Sequence, residues 1–161
     1  VNEYPSSEEL AEIAISAVRV VKLFGFVPKV AFVSHSTFGQ PLTSRTKHIK
    51  NAVEILKDKN VDFDFDGDMQ PDVALNEEYK EWYPVSSIVG NANILIMPGQ
   101  HSAAISYKMM KSLGDTKVIG PLLIGLGQPI EIAPLRSSAS EIINLASVAA
   151  YSADVINYKK N

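Results

Sequence analysis

Lys29-Val30-Ala31-Phe32-Val33-Ser34 is followed by the polar stretch His35-Ser36-Thr37-Phe38-Gly39-Gln40-Pro41-Leu42-Thr43-Ser44, and then by apolar residues at Ile49, Ala52, Val53, Ile55 and Leu56. A short, unbroken apolar run is what a strand buried on both faces of a parallel sheet looks like. The spacing of the third part predicts an amphipathic helix from Ser44, as its cap, to about Lys59. Strand, polar loop and helix in that order is the unit from which α/β sheets are built.

The same alternation extends outward. Upstream, Pro5-Ser6-Ser7-Glu8-Glu9 opens a helix with capping-box spacing between Ser6 and Glu9. Its apolar stripe runs through Leu10, Ile13, Ala14, Ala17, Val18 and Val21, and Gly25 ends it. Downstream, Val61–Phe65 reads as a strand and Asp66-Gly67-Asp68-Met69-Gln70 as a loop. Two short helical pieces are expected between Pro71 and Trp82, a strand at Asn93–Met97, and a helix from Ser102 to Leu113 ended by Gly114. Val118–Ile124 and Pro129–Ile132 read as two further strands, and the last helix runs from about Ser138 to Tyr158. The terminal Lys159-Lys160-Asn161 reads as a frayed end. The expected fold is α/β: three layers, α/β/α, around a mostly parallel sheet, as one domain over residues 1–161.

Composition narrows the function classes. A net charge of −3 gives no footprint for nucleic acid or an anionic membrane. The absence of cysteine removes disulfides, thiolate metal sites and cysteine nucleophiles, and fits the cytoplasm. No stretch approaches the roughly 20 apolar residues of a spanning helix, and the acidic N-terminal segment is unlike a signal peptide.

Most motifs fail on inspection. Asp62-Phe63-Asp64-Phe65-Asp66-Gly67-Asp68 has calcium-loop spacing, but Val73 stands where the bidentate Glu is needed. Alternation of Phe63 and Phe65 with aspartates fits a strand with one wet face instead. His35, His48 and His101 lack metal-ligand spacing, so no metal site is expected. Gly125 and Gly127 are not followed by the third glycine of a dinucleotide fingerprint.

Two places survive. Ser34, Ser36, Thr37, Thr43 and Ser44 lead into Arg45 at a helix start, where free N–H groups and the dipole suit phosphate. Capping and turn chemistry use the same residues, and the two readings stand level on chemistry alone. Arg136, at the entry to the last helix, offers a fork of donors for phosphate or carboxylate; a surface pair to a nearby acid is the plainer alternative. Pro98-Gly99-Gln100-His101-Ser102 is a third strand-to-helix loop able to face the same crevice.

Val30–Gly39 resembles the first strand and loop of the second subdomain of phosphotransacetylases. Asp66-Gly67-Asp68-Met69-Gln70-Pro71-Asp72-Val73-Ala74-Leu75 resembles that family's Asp-Gly-x-Met/Leu-Gln-x-Asp segment, in the form fused to bacterial NADP-dependent malic enzymes. Gly90–Pro98, Tyr107-Lys108 and Ile119–Leu126 extend the resemblance over nearly the whole chain, which reads as a fragment of a longer one. The resemblance implies acetyl transfer between coenzyme A and phosphate, with an Arg, a Ser before it and an Asp six residues after it. Arg136 matches the Arg. Leu135 stands at the Ser and Ile142 at the Asp; Ser137 replaces a Gly, and Ala104 replaces an Asn of the third loop.

An Ile cannot take a proton, so the resemblance implies no catalytic residue here. It implies an acetyl-coenzyme A-sensing regulatory and homo-oligomeric module, with Ser34, Ser36, Thr37, Arg45, Ser102 and Arg136 as ligand-binding residues. The malic-enzyme catalytic part would lie elsewhere in the same chain, with its NADP and divalent metal. A working phosphate acetyl/butyryltransferase is the alternative. Ile143, Leu145, Val148 and Tyr151 of the last helix read as core, by periodicity, in preference to a dimer contact.

Overall fold

The computed structural model describes residues 2–113 and 117–158. Gly114 and Lys159–Asn161, for which a helix end and fraying were expected, lie outside these residues. The chain forms two compact units, Val1–Lys108 and Met109–Asn161.

The first unit contains α1 (Ser7–Leu23), β1 (Lys29–Val33), α2 (Ser44–Asp58), β2 (Asp64–Met69), α3 (Pro71–Leu75), α4 (Glu77–Lys80) and β3 (Ile94–Ile96), and α5 (Gln100–Leu113) starts within it. The sheet is parallel, in the order β2-β1-β3, with Val30 beside both Phe65 and Ile94. Successive side chains of β1 point to opposite faces. Val30 and Phe32 join Leu10, Ala14, Val18, Ile49, Val53 and Leu56 in a core under α1 and α2. Ala31 and Val33 join Met69, Ala74, Ile88 and Ala92 on the other face. Both parities of β1 are therefore apolar, and the α/β fold is as expected.

Local signals explain the helix starts. Ser6 caps α1 by accepting from the Glu9 amide at 3.2 Å, and its own amide donates to the Glu9 carboxylate at 2.6 Å. That pairing holds the Glu9 carboxyl below the usual range. The cap of α2 is Thr43, one residue before the expected Ser44, in a reciprocal arrangement with Thr46. Thr46 is buried there, and its hydroxyl also donates to the Thr43 carbonyl.

Two expectations are corrected. β2 begins at Asp64 and runs through the stretch read as a loop. Asp66 and Asp68, read as part of a loop, both find donors inside the fold. The Asp66 carboxylate accepts from the Gly67 and Ser87 amides at 2.8 and 2.6 Å. Residues 117–138 contain no strand. Pro121 and Pro129 have no N–H for a ladder, and Gly120 and Gly125 adopt φ of +138° and +87°. In the second unit, α6 (Ala139–Tyr158) buries Leu145 but exposes Ile143 and Tyr151, so the core reading holds at one position of the stripe.

β2 can lie against β1 only because residue 67 has no side chain. A Cβ there would stand 2.7 Å from both Cβ and the carbonyl oxygen of Phe32, and its φ is +153°. Gly67→Ala is expected to destabilise the first unit by about 3 kcal/mol or more. Urea unfolding measures this, and an unchanged midpoint would show that the strands have room to part.

Candidate functional site

The carboxyl ends of β1 and β3 open onto a cleft of about 1070 Å³. Crevices at this end of an open parallel sheet are where α/β folds bind ligands. Val33, Ile49, Met97 and Pro98 supply apolar lining, while Ser34, His35, Ser44, Arg45, His48, His101, Ser102 and Ser106 supply donors. Glu3 and Glu9 bring two carboxylates to the same cleft.

Of the anticipated residues, Ser34, Arg45 and Ser102 meet here. Arg45 lies in the first turn of α2, exposed, with no acid in ion-pair distance among the described residues. Ser102 turns back to donate to the Gly99 carbonyl at 2.9 Å, which leaves its oxygen able to accept. His48 is committed elsewhere: its Nε2 donates to the Pro5 carbonyl at 2.7 Å, and Nδ1 sits 3.0 Å from the Ser7 hydroxyl.

Ser36 and Thr37 are not in the cleft lining. Ser36 is fully buried and donates its hydroxyl to the Asp68 carboxylate. Thr37 is 5% exposed, and its hydroxyl oxygen accepts from the Gln70 amide at 3.2 Å. Both side chains hold the loop after β1 onto the end of β2. Asp68 is the hub: its carboxylate also accepts from the Gly39 amide at 3.0 Å, and its carbonyl accepts from the Phe38 amide at 2.7 Å. Gln70 adds a bond from its side-chain amide to the His35 carbonyl at 3.1 Å. Phe38 adopts a φ of +49°, a left-handed conformation that a non-glycine residue keeps only when its surroundings impose it.

Arg136 belongs to the second unit, exposed in the turn before α6. That helix opens with a capping arrangement of its own. The Ser138 amide and hydroxyl both donate to the Glu141 carboxylate, at 2.8 and 3.0 Å, and Lys111 pairs with its other oxygen. The Lys111 hydrogen bond first, and then those from Ser138, lower the Glu141 carboxyl from 4.5 to about 2. Leu135 is wholly exposed and Ile142 half exposed.

Sequence reasoning missed Asp68, Gln70 and the part played by Glu3. Asp68 is 32 residues from Ser36 in the chain, and no local pattern announces their pairing. Asp68→Ala would leave the Ser36 hydroxyl and the Gly39 amide without an acceptor. A loss of about 1–3 kcal/mol is expected, with faster hydrogen exchange at the Gly39 amide. Unaltered exchange there would mean that Asp68 does not hold the loop.

The comparisons with known proteins agree with the α/β fold. The family model for phosphate acetyl/butaryl transferase matches residues 1–150. An NADP-dependent malic enzyme of Rhizobium meliloti (strain 1021) is 48% identical over 153 residues, covering 95% of this chain and 20% of that protein. A phosphate acetyltransferase of Bacillus subtilis (strain 168) is 35% identical over 151 residues, covering 93% of this chain and 47% of that protein. The crystal structure of a phosphotransacetylase from Streptococcus pyogenes superposes with a TM-score of 0.88 at 36% identity, over 95% of this chain and 47% of that one. The chain thus spans about a fifth of that malic enzyme and about half of that acetyltransferase. With the family model covering all but its last residues, this chain belongs to the phosphate acetyl/butaryl transferase family.

Proposed function

We propose that the chain is a ligand-binding, regulatory domain of a malic-enzyme-type protein, and that it binds acetyl-coenzyme A without transferring the acetyl group. Arg45, which has no acid in ion-pair distance among the described residues, offers its guanidinium to a ligand phosphate, Ser34 and Ser102 offer hydrogen bonds beside it, and Ser36 and Thr37 keep the loop in shape. Arg136 is assigned to the same ligand by its match to the family's Arg. The domain would act on a malic-enzyme part of the same chain through a coupling free energy. Assembly as a homo-oligomer in the cytoplasm belongs to the same reading, and NADP and a divalent metal would serve only the malic-enzyme part.

The observation that carries binding without catalysis is the chemistry at the start of α6. A base must accept the thiol proton, and does so best when its own pKa lies near the working pH. At the position matched to the family's Asp, Ile142 has none to exchange. The neighbouring acid, Glu141, is tied to Lys111 and Ser138 with its carboxyl at about 2, too weak a base for the task. Identity to the Bacillus subtilis phosphate acetyltransferase favours the second reading, a working acyltransferase.

Amide NMR titration with acetyl-coenzyme A, with coenzyme A and phosphate as controls, tests the first reading. Saturable shifts are expected in residues 34–45 and around Arg136. Arg45→Ala should weaken binding about ten-fold, the loss of one charge-assisted contact. Absence of saturable shifts would remove the binding reading. Formation of acetyl phosphate from acetyl-coenzyme A and phosphate should stay at background, and turnover above it would restore the enzyme.

The pairing of Glu141 has its own signature in pH. Because folding lowers this carboxyl, its contribution to α6 is complete above about pH 4.5 and is lost as pH falls towards 2. A carbon-detected titration should place the Glu141 midpoint near 2, and Lys111→Ala should raise it. A midpoint at the ordinary 4.5 would mean that the acid is free after all.

A further inference from the structure

Glu3 already places a carboxylate in the cleft. Its Oε1 lies 2.7 Å from Nε2 of His101, in the first turn of α5. The segment carrying Glu3 is packed down against that turn: a Cβ on Gly99 would stand 2.6 Å from the Glu3 carbonyl oxygen, so only glycine lets the chain pass so close. Segment 2–6 is anchored just behind this point. Pro5 is buried and its carbonyl accepts from His48, while Ser6 is locked into the α1 capping box. Ahead of that anchor, the Asn2 side chain reaches Glu9 at 3.1 Å and the Tyr4 amide reaches Asn2 at 3.2 Å.

We propose that His101 is part of an anion subsite of this cleft, that the Glu3 carboxylate is its internal occupant, and that a ligand phosphate displaces it. The inference rests on the binding reading above and adds a subsite and a moving part to it. A carboxylate and a phosphate monoester present the same acceptor chemistry to an imidazole N–H. Arg45, Ser34 and Ser102 line the same cleft and give a phosphate more donors than Glu3 uses. The internal pair is weak enough to yield. Its side chains are 73% and 54% exposed, and exposed pairs contribute little. The Pro5 anchor keeps the displacement from reaching α1. Occupancy of the cleft is thereby reported to the segment leading into α1.

The test is titration of the 161-residue chain with inorganic phosphate, followed by amide NMR, for the wild type, Glu3→Gln and His101→Gln. In the wild type, the Glu3 and Tyr4 amides should shift together with those of Ser34 and Arg45. Glu3→Gln should bind phosphate about two- to five-fold more tightly, the factor that an exposed ion pair supplies. His101→Gln should bind it more weakly and lose the Glu3 shift. Equal or weaker affinity in Glu3→Gln overturns the proposal, as do shifts at Ser34 and Arg45 with Glu3 and Tyr4 unmoved. Failure of phosphate to bind even in Glu3→Gln also overturns it. A parallel titration with acetyl-coenzyme A decides the cleft's own role separately, since that ligand can bind through Arg45 with Glu3 in place.

Discussion

Everything in the first unit depends on β1 having apolar side chains on both faces. Val30 and Phe32 need a cover on one side, Ala31 and Val33 on the other, and only a central strand flanked by two layers supplies both. α1 and α2 form the first layer; α3 and the residues around Ile88 and Ala92 form the second. With β2 and β3 parallel to β1, the loops that leave the three strands emerge at one end of the sheet. The cleft is a consequence of that direction, and it would not exist if either neighbour ran antiparallel.

The loop after β1 has too little apolar surface to order itself, and it is ordered by polar contacts with the end of β2. Asp68 is 1% exposed, an environment that carboxylates enter only when their acceptor capacity is used. Ser36, Gly39 and Phe38 use it, counting the carbonyl as well as the carboxylate. The shape of the loop after β1 is therefore written in a different strand from the one that carries it. Among the described residues, no buried polar side-chain atom is left without a partner, so this network is complete.

That division explains what could be read from the sequence. Patterns carried by neighbouring residues were legible: the capping box at Ser6 and Glu9, the apolar parity of β1, the stripe of α2. The gathering of Ser34, Arg45 and Ser102 at one crevice followed from strand-to-helix order alone. What was not legible was the use of a polar residue by a distant partner. Asp66 and Asp68 looked like a turn because Ser87 and Ser36, which satisfy them, are 21 and 32 residues away. Ser36 and Thr37 looked like ligand groups for the same reason. In the other direction, Val118–Ile124 had the apolar content of a strand, but its proline and positive-φ glycine decide against a ladder.

The start of α6 shows how one carboxylate cannot serve two roles. A helix is steadied by an acid in its first turn, and the steadier the acid, the lower its carboxyl falls. Glu141 sits at that extreme, with a serine and a lysine both donating to it. A catalytic base at the same turn would have to forgo those donors to keep a useful affinity for protons. Ile142, in the next position, has no group that could take a proton. Capping and base catalysis therefore make opposite demands on an acid in this turn, and Glu141 meets the demand of the cap.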